Sequence, residues 1–383
     1  MKLLHTSDWH VGKLMRGQSR SVEHDAVLAE ISGIATDEEV DLILVVGDLF
    51  ETAAPGPESE EIVYRHLLAL AETGATVVVV AGNHDNPRRL GAVTQLLELG
   101  RVHVLAQAAS PDDGGVLSFT TDAGEPVNLA LLPFVSQRGI VRVDDLMATD
   151  ADQHSQKYAA RLRQVIEALT ASIEGDDAVN LLAGHLMVAG GVMGGGERSA
   201  HTVFDYAVDA AAFPEWLHYV ALGHLHRAQP VRAQPPAWYS GSPLQLDFGE
   251  ESEGKAVLVV EAESGRPASV TEVPLTAGRR LRTIEGTLEE LEGLVGTTGD
   301  DFLRVRVRDA SGPAVPDQIR ELFPEATEVV VDRPAADPRV DNKARLGRSP
   351  AELFEEYLGE VGEVDGSVLA LFDELHDEVT SAT

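Results

Sequence analysis

The sequence predicts an α/β fold, and two observations carry that prediction. Short, continuous Val/Ile/Leu runs of strand length recur through the first half of the 383-residue chain. Strands buried on both faces of a sheet read this way. Segments with helical spacing separate the runs, and strand–helix–strand alternation implies parallel strands joined by right-handed crossovers.

The elements follow in order. Residues 3–6 form a first short strand and 22–34 a helix. Residues 41–46 are a continuous apolar strand. Residues 58–72 form a helix with Ile62, Leu68 and Leu70 among its apolar positions. A strand at 76–81 and a helix at 87–99 come next. Residues 111–124 read as a turn-rich excursion, 128–133 as a strand and 153–173 as a long helix. Further strands lie at 178–183 and 219–222. Between those two, residues 190–196 hold five glycines in seven positions. The Gly-x4-Gly-Lys-Ser/Thr pattern of a phosphate loop is missing there, so the segment reads as a mobile surface loop.

Composition shifts near Ala277-Gly278, which divides a large unit at 1–277 from a small α+β unit at 278–335. In the small unit, strands are expected at 280–285, 303–307 and 327–331, and helices at 288–294 and 316–322. A unit this small is stable when packed on a larger neighbour. Residues 336–383 begin as a polar linker that runs to Arg348. Ser349-Pro350-Ala351-Glu352 then forms a capping box with Pro at the first helical position. Leu353, Phe354, Tyr357 and Leu358 share one face of the helix that follows. A second apolar stripe runs through Val368, Leu369, Phe372 and Leu375.

Composition narrows the chemistry. With 44% apolar residues, the chain can bury a sizeable core. It has no cysteine, so disulfides, thiolate metal sites and cysteine nucleophiles are excluded. Any metal must be held by His, Asn, Asp or Glu. The chain starts with no signal peptide, and no apolar run approaches the ~20 residues that span a bilayer, so a cytoplasmic protein is expected. Acidic side chains outnumber basic ones 63 to 30, giving a net charge of −33. That balance argues against broad phosphate-backbone binding. It leaves room for a local groove in which bound cations dominate the charge.

Five of the strands end in the same manner. They run into Ser7-Asp8-Trp9-His10, Gly47-Asp48, Gly82-Asn83-His84-Asp85, Gly184-His185 and Gly223-His224-Leu225-His226. Sites in α/β sheets lie just beyond the carboxyl ends of strands, and a glycine before the polar residue permits close backbone approach. Side chains two apart in extended chain point the same way. Asp8 with His10, and His224 with His226, can therefore each grip one region. Asp48 can bridge two ions, and Asn83 offers a neutral carbonyl oxygen. A mixed His, carboxylate and amide set suits Mn²⁺, Fe²⁺ or Zn²⁺ better than Ca²⁺ or an all-oxygen Mg²⁺ site. Each motif alone is ordinary loop chemistry; the joint occurrence at five strand ends points to a metal centre. His24, His66, His103, His154 and His376 lack that context and read as surface or interfacial residues.

In this order, Asp-x-His, Gly-Asp, Gly-Asn-His-Asp, Gly-His and Gly-His-x-His resemble the calcineurin-like metallophosphoesterases. The wording of Thr6–Lys13, Gly47–Phe50, Ala221–Gln229 and Tyr239-Ser240-Gly241-Ser242-Pro243 is similar, within them, to the SbcD family of bacterial nuclease subunits. The resemblance implies a two-sheet sandwich flanked by helices, with residues near 279–334 as a capping domain that helps to shape DNA. It implies one ion on Asp8, His10, Asp48 and His226, and a second on Asp48, Asn83, His185 and His224. His84 is then no ligand but a catalytic residue facing the scissile phosphate. The implied cofactors are two divalent ions, with Mn²⁺ favoured, that activate water and clamp the phosphoryl oxygens. The implied partners are DNA, the coiled-coil ATPase SbcC and a second copy of the chain, in DNA repair, replication and recombination. The implied activities are 3′→5′ exonuclease action on duplex ends and endonuclease cleavage of single strands or hairpins. One departure stands out: some relatives carry a His where this chain has Glu51, so any role of that His does not transfer.

Asp85 is expected either to hold the His84 ring or to cap the following helix. Lys13, Arg16, Arg88 and Arg89 flank the motif loops as candidate DNA contacts, and Trp9 reads as packing. A stand-alone phosphodiesterase or phosphatase for a small nucleotide or phosphoprotein is the competing function. It has the acidic charge in its favour, but it leaves the chain beyond residue 275 without a purpose. A non-enzymatic scaffold with a relic site fits poorly with a complete ligand set.

Overall fold

The computed structural model describes residues 1–136, 151–175, 177–197, 207–308, 314–331, 354–355, 358 and 366–372, with side chains of the helix that starts at 151 described from 158. Two six-stranded sheets form its centre. The first runs, in spatial order, Arg266–Pro274, Ala256–Glu263, Lys2–Thr6, Leu42–Val46, Thr76–Val80 and Val102–Leu105. Its last four strands are parallel, and Ala256–Glu263 lies antiparallel to Lys2–Thr6. The second runs Gln229–Val231, Ala237–Tyr239, Tyr219–Gly223, Val179–His185, Pro126–Leu132 and Val116–Thr120, parallel in its central four strands.

Strand periodicity explains the layering. Leu4, Ile43, Val45, Val77 and Val79 face outward, beneath the helices Ser21–Asp37, Pro57–Glu72 and Pro87–Glu98. Their neighbours Leu3, Leu42, Leu44, Val46, Val78 and Val80 face the second sheet and meet Leu129, Leu131, Leu181, Ala183, Tyr219 and Ala221. The other face of the second sheet, with Ala130, Leu132, Leu182 and Val220, packs against Tyr158, Leu162 and Ile166 of the helix Ala151–Ala171. Alternate residues of one run thus fill two different cores, which is why the runs are apolar throughout. The result is the helix-flanked two-sheet sandwich that the family pattern implies.

A third, three-stranded parallel sheet holds Leu281–Gly286, Phe302–Val307 and Ala326–Val331, with the helices Leu288–Glu292 and Val315–Leu322 between its strands. It has its own core around Ile284, Leu291, Val305 and Ile319. Met15, Phe248, Leu281 and Phe302 join it to the sandwich. The Arg279 guanidinium lies 3.8 Å from the Phe302 ring centroid and 2.9 Å from the Glu23 carboxylate. Gln245 spans the junction: its side-chain oxygen accepts from Leu281 N at 2.8 Å while its amide donates to the Glu250, Glu251 and Glu253 carbonyls.

Some elements differ from the sequence reading. Residues 111–124 are not only turns, since Val116–Thr120 pairs antiparallel with Pro126–Leu132 as an edge strand. The hairpin Ala256–Glu263/Arg266–Pro274 extends the first sheet and is missing from the predicted elements. His24 and His66 are buried rather than superficial, at 1% and 6% exposure. His24 Nδ1 donates to the Arg20 carbonyl, and His66 Nε2 meets Asp25 at 2.6 Å. His154 and His376, like the capping box at 349–352, lie outside the described residues. Beyond the linker, the Phe354 and Phe372 rings stack with centroids 4.2 Å apart. No helix among the described residues is long and apolar enough to cross a membrane.

Candidate metal centre

The register brings the motif loops to one place. Thr6 pairs with Val45, Val46 with Val80, and Gly223 with His185, so the carboxyl ends of the central strands lie level. Beyond the strands the loops stay tied by backbone hydrogen bonds, Asp8 N to Gly47 O and His10 N to Asp48 O. Asp8, His10 and Asp48 then take left-handed backbone conformations, with φ of 53°, 48° and 51°, and His224 has φ 113°. Non-glycine residues hold such conformations only where the surroundings enforce them, and they gather at functional sites.

Two glycines make the convergence possible. A Cβ on Gly223 would lie 1.8 Å from the Val46 carbonyl oxygen, and one on Gly47 would lie 2.2 Å from His185 Nδ1. Any larger residue would push the two sheets apart at the site.

Asp8, His10, Asp48, Asn83, His84, His185, His224 and His226 all come together. Asp8, His10 and His226 form one buried group of ligand atoms; His10, Asp48 and His84 form a second, and Asp8, Asp48 and His185 a third. Asp48 Oδ2 lies 3.6 Å from His10 Nε2 and 3.5 Å from His185 Nε2. Asn83 Oδ1 lies 2.9 Å from His185 Nε2 and 2.8 Å from His224 Nδ1. The His224 amide donates to both Asp8 carboxylate oxygens at 3.1–3.2 Å, and Ser7 Oγ donates to Oδ2.

Asp8 and His10 do converge on one region, though not through extended backbone, whereas His224 and His226 part. The backbone at 8 and 10 is left-handed rather than extended. His224 and His226 serve opposite sides, the first beside Asn83 and the second beside Asp8 and His10. Asp85 neither holds His84 nor caps the next helix. It accepts from the Leu49, Phe50 and Gly82 amides, while Asn86 caps the helix at Arg88 N and Arg89 N. His84 Nδ1 instead donates to the Glu51 carbonyl at 2.7 Å, and its amide donates to Asp48 Oδ1 at 2.8 Å. Of the basic candidates, Lys13 pairs with Glu51, Arg16 with Glu328 and Arg89 with Glu60. Trp9 is fully buried and donates to Thr6 Oγ1.

Two residues that the sequence reading left unassigned belong to the centre. Glu51 accepts from His10 Nδ1 at 2.9 Å, and Glu250, completely buried, accepts from His226 Nδ1 at 3.2 Å and Lys255 Nζ at 2.7 Å. Burial opposes ionisation of both, yet their cationic and imidazole partners hold each at about 2. Burial pushes Asp8 up to about 6 and His10 down to about 4. Burial and the neighbouring Asp48 raise Asp85 to about 7. Asp48 goes the other way: burial disfavours its charge, but His185, His10 and His84 keep it well below the usual range. The same pair lifts His185 to about 9 against its burial.

These contacts test the site for a cation. His10 Nδ1 is engaged by Glu51, so a neutral ring turns a lone pair from Nε2 toward the Asp48 carboxylate. That Nε2 is buried and has no hydrogen-bond partner. His185 Nδ1 donates to the Val46 carbonyl, so its Nε2 faces Asn83 Oδ1 and carries either the proton that Asp48 favours or, once that proton leaves, a lone pair. A proton or a cation has to lie between such groups, and the donor set of imidazole, carboxylate and amide suits a divalent transition metal.

Comparison with known proteins gives the same class. Residues 1–228 match the family model described as calcineurin-like phosphoesterase, and this chain belongs to that family. It is accordingly a hydrolase of phosphate ester bonds. Within the family it groups with the SbcD subunits of SbcCD nucleases. The one from Bacillus subtilis (strain 168) is 37% identical over 285 residues, spanning 73% of this chain and 71% of the relative. Those from Staphylococcus epidermidis and Escherichia coli K12 are each 30% identical, spanning 76% of this chain and 74% and 72% of their own.

Proposed function

We propose that this chain is the nuclease subunit of an SbcC–SbcD-type complex, cutting DNA phosphodiester bonds at a two-ion centre. Mn²⁺ is the favoured metal. One ion is assigned to Asp8, His10, Asp48 and His226, the other to Asp48, Asn83, His185 and His224. The observation that carries this reading is the single Asp48 oxygen lying within 3.6 Å of His10 Nε2 and 3.5 Å of His185 Nε2. A carboxylate so placed is suited to bridging. When bound, the ions supply an activated water and neutralise the phosphoryl oxygens.

The protein groups do the rest. His84 is the catalytic residue. With Nδ1 on the Glu51 carbonyl, the ring meets the phosphate through Nε2 and, when protonated, hands a proton to the departing 3′ oxygen. The Asp48 carboxylate orients His84 through its main-chain amide. Asp85 secures three loop amides and so holds the Gly82–Asp85 turn against the Asp48 loop.

Residues 278–335 are assigned as the cap over the DNA path and 336–383 as linker and SbcC-binding tail. The stacked Phe354 and Phe372 beside exposed Val368 and Leu371 supply an apolar face suited to helix docking. The working assembly is a dimer of this chain with two SbcC subunits, in the cytoplasm. The expected products are those of 3′→5′ digestion of duplex ends and nicking of single strands or hairpins.

The net charge of −33 favours a second reading, a phosphodiesterase for a small nucleotide. One assay separates the two: Mn²⁺-dependent hydrolysis of a labelled duplex and of a small phosphodiester, with and without the ATPase. Duplex cleavage that rises with SbcC and ATP supports the nuclease. Turnover of the small ester alone supports the second reading.

A further inference from the structure

Tyr239-Ser240-Gly241-Ser242-Pro243 supplies no assigned ligand, yet it joins two loops that meet at the centre. Ser240 Oγ donates to Ser7 Oγ at 2.8 Å, and Ser7 in turn donates to the Asp8 carboxylate. Ser242 N donates to the His226 carbonyl at 3.0 Å. Between them Gly241 has φ 72°, and a Cβ there would lie 2.7 Å from that same carbonyl oxygen. The turn is pressed onto the His226 backbone where only glycine fits.

Lys255 closes this arrangement from the first sheet. It precedes the strand Ala256–Glu263, and its own carbonyl accepts from Leu275 N at 2.8 Å. Its side chain is 8% exposed, and Nζ donates to Glu250 Oε2 at 2.7 Å, the His226 carbonyl at 2.9 Å and Ser242 Oγ at 3.0 Å. An ammonium has three N–H donors, so all of them are engaged. All three acceptors lead to His226, which follows the second-sheet strand Tyr219–Gly223. Glu250 accepts from its ring Nδ1 at 3.2 Å, and Ser242 shares its carbonyl. A buried ammonium needs a carboxylate to offset its charge; the other two bonds go beyond that need.

We propose that Lys255 is a positioning residue for the metal centre. It fixes where His226 stands by holding the main-chain carbonyl, and it locks the Ser240–Ser242 turn that ties His226 to Asp8. This rests on the reading that His226 holds an ion, and adds to it a residue from the opposite sheet that acts on the ligand's backbone. The sign of the effect is diagnostic. An ammonium repels a nearby cation, so removing a Lys255 that acted by charge alone would tighten cation binding. Removing a positioning Lys255 weakens it.

The test is titration of metal-free, full-length proteins with Mn²⁺, with free Mn²⁺ read by electron paramagnetic resonance and melting temperatures measured without metal. His226→Ala marks the binding class that His226 holds by losing it. Lys255→Met removes the donors and leaves buried Glu250 without its cation, so Glu250→Gln and Lys255→Met/Glu250→Gln accompany it. Lys255→Met is expected to weaken the marked class by about 10-fold. The double variant is expected to bind it more weakly than Glu250→Gln by a similar factor. That second comparison strands no carboxylate, so it decides the matter even where Lys255→Met alone fails to fold. A double variant that binds Mn²⁺ as tightly as Glu250→Gln, or more tightly, overturns the inference, whatever its melting temperature: Lys255 then only stabilises the fold. His226→Ala that binds Mn²⁺ as wild type does overturns the assignment of an ion to His226, and the inference with it.

Discussion

Gly223→Ala tests whether glycine before a motif residue is what lets the two sheets close on the centre. The added Cβ would sit 1.8 Å from the Val46 carbonyl oxygen, 2.9 Å from His185 Nδ1 and 3.0 Å from Ser7 Cβ. An ordinary carbon–oxygen contact is about 3.3 Å, so one strand end must move by roughly 1.5 Å. Neither can move freely, because Leu42–Val46 and Tyr219–Gly223 are each hydrogen-bonded on both sides. Overpacking of this kind costs about 1–3 kcal/mol. The displaced carbonyl is also the acceptor for buried His185 Nδ1, and a lost buried hydrogen bond adds about 1–3 kcal/mol. A total near 3 kcal/mol lowers the melting temperature by about 6–12 °C for a domain of this size. Calorimetry on metal-free protein measures it without interference from ion binding. Gly33→Ala is the control: it lies within the helix Ser21–Asp37 with nothing within 4 Å of its added Cβ. It should gain about 0.5–1 kcal/mol. If Gly223→Ala melts with wild type and binds Mn²⁺ normally, the close approach argued for this strand end is wrong.

His84→Asn should abolish DNA hydrolysis and keep Mn²⁺ binding close to wild type; loss of both together removes His84 from its catalytic role. Glu30 offers a pH test. Burial would raise its carboxyl, but the Thr276 and Ala277 amides and the Thr276 hydroxyl donate to it and hold it below 4.5. A depressed folded value stabilises above the unfolded pKa and loses that stability as pH falls through the folded value. Urea midpoints of wild type and Glu30→Gln should therefore differ most near neutrality and draw together as the pH falls through the depressed folded value. A gap that widens in acid has the wrong sign. Truncation after Arg348 should leave nuclease activity and remove SbcC binding in co-purification; retained binding would move the partner site elsewhere.

Much of this centre is legible because its groups sit in short contiguous motifs. Asp8 and His10 share one loop, as do Asn83 and His84, and each loop follows a strand whose apolar run announces it. The backbone that aims them is not legible. Left-handed turns at Asp8, His10 and Asp48 come from ties between loops, such as His10 N to Asp48 O, which no local pattern encodes. That is why a period-two argument sends His224 and His226 to one place while the fold sends them to two.

Glu51 and Glu250 escape for another reason. Each is one acidic residue among 63, and its meaning lies in a partner 41 or 24 residues away. The hairpin Ala256–Glu263/Arg266–Pro274 is a plainer case. Its first strand carries the same apolar run as Leu42–Val46, and Gly265 takes the left-handed turn at φ 82°. Its second strand is largely exposed and polar, as an edge strand is, and reads as loop.

The proposed two-ion mechanism depends on one carboxylate, Asp48, being shared between both ions. Crystals of the protein grown with Mn²⁺ and measured at the manganese absorption edge would show this sharing. Two anomalous peaks are expected to flank the Asp48 carboxylate, one beside Asp8, His10 and His226 and the other beside Asn83, His185 and His224. A single peak, or two peaks of which one has no contact with Asp48, would refute the sharing.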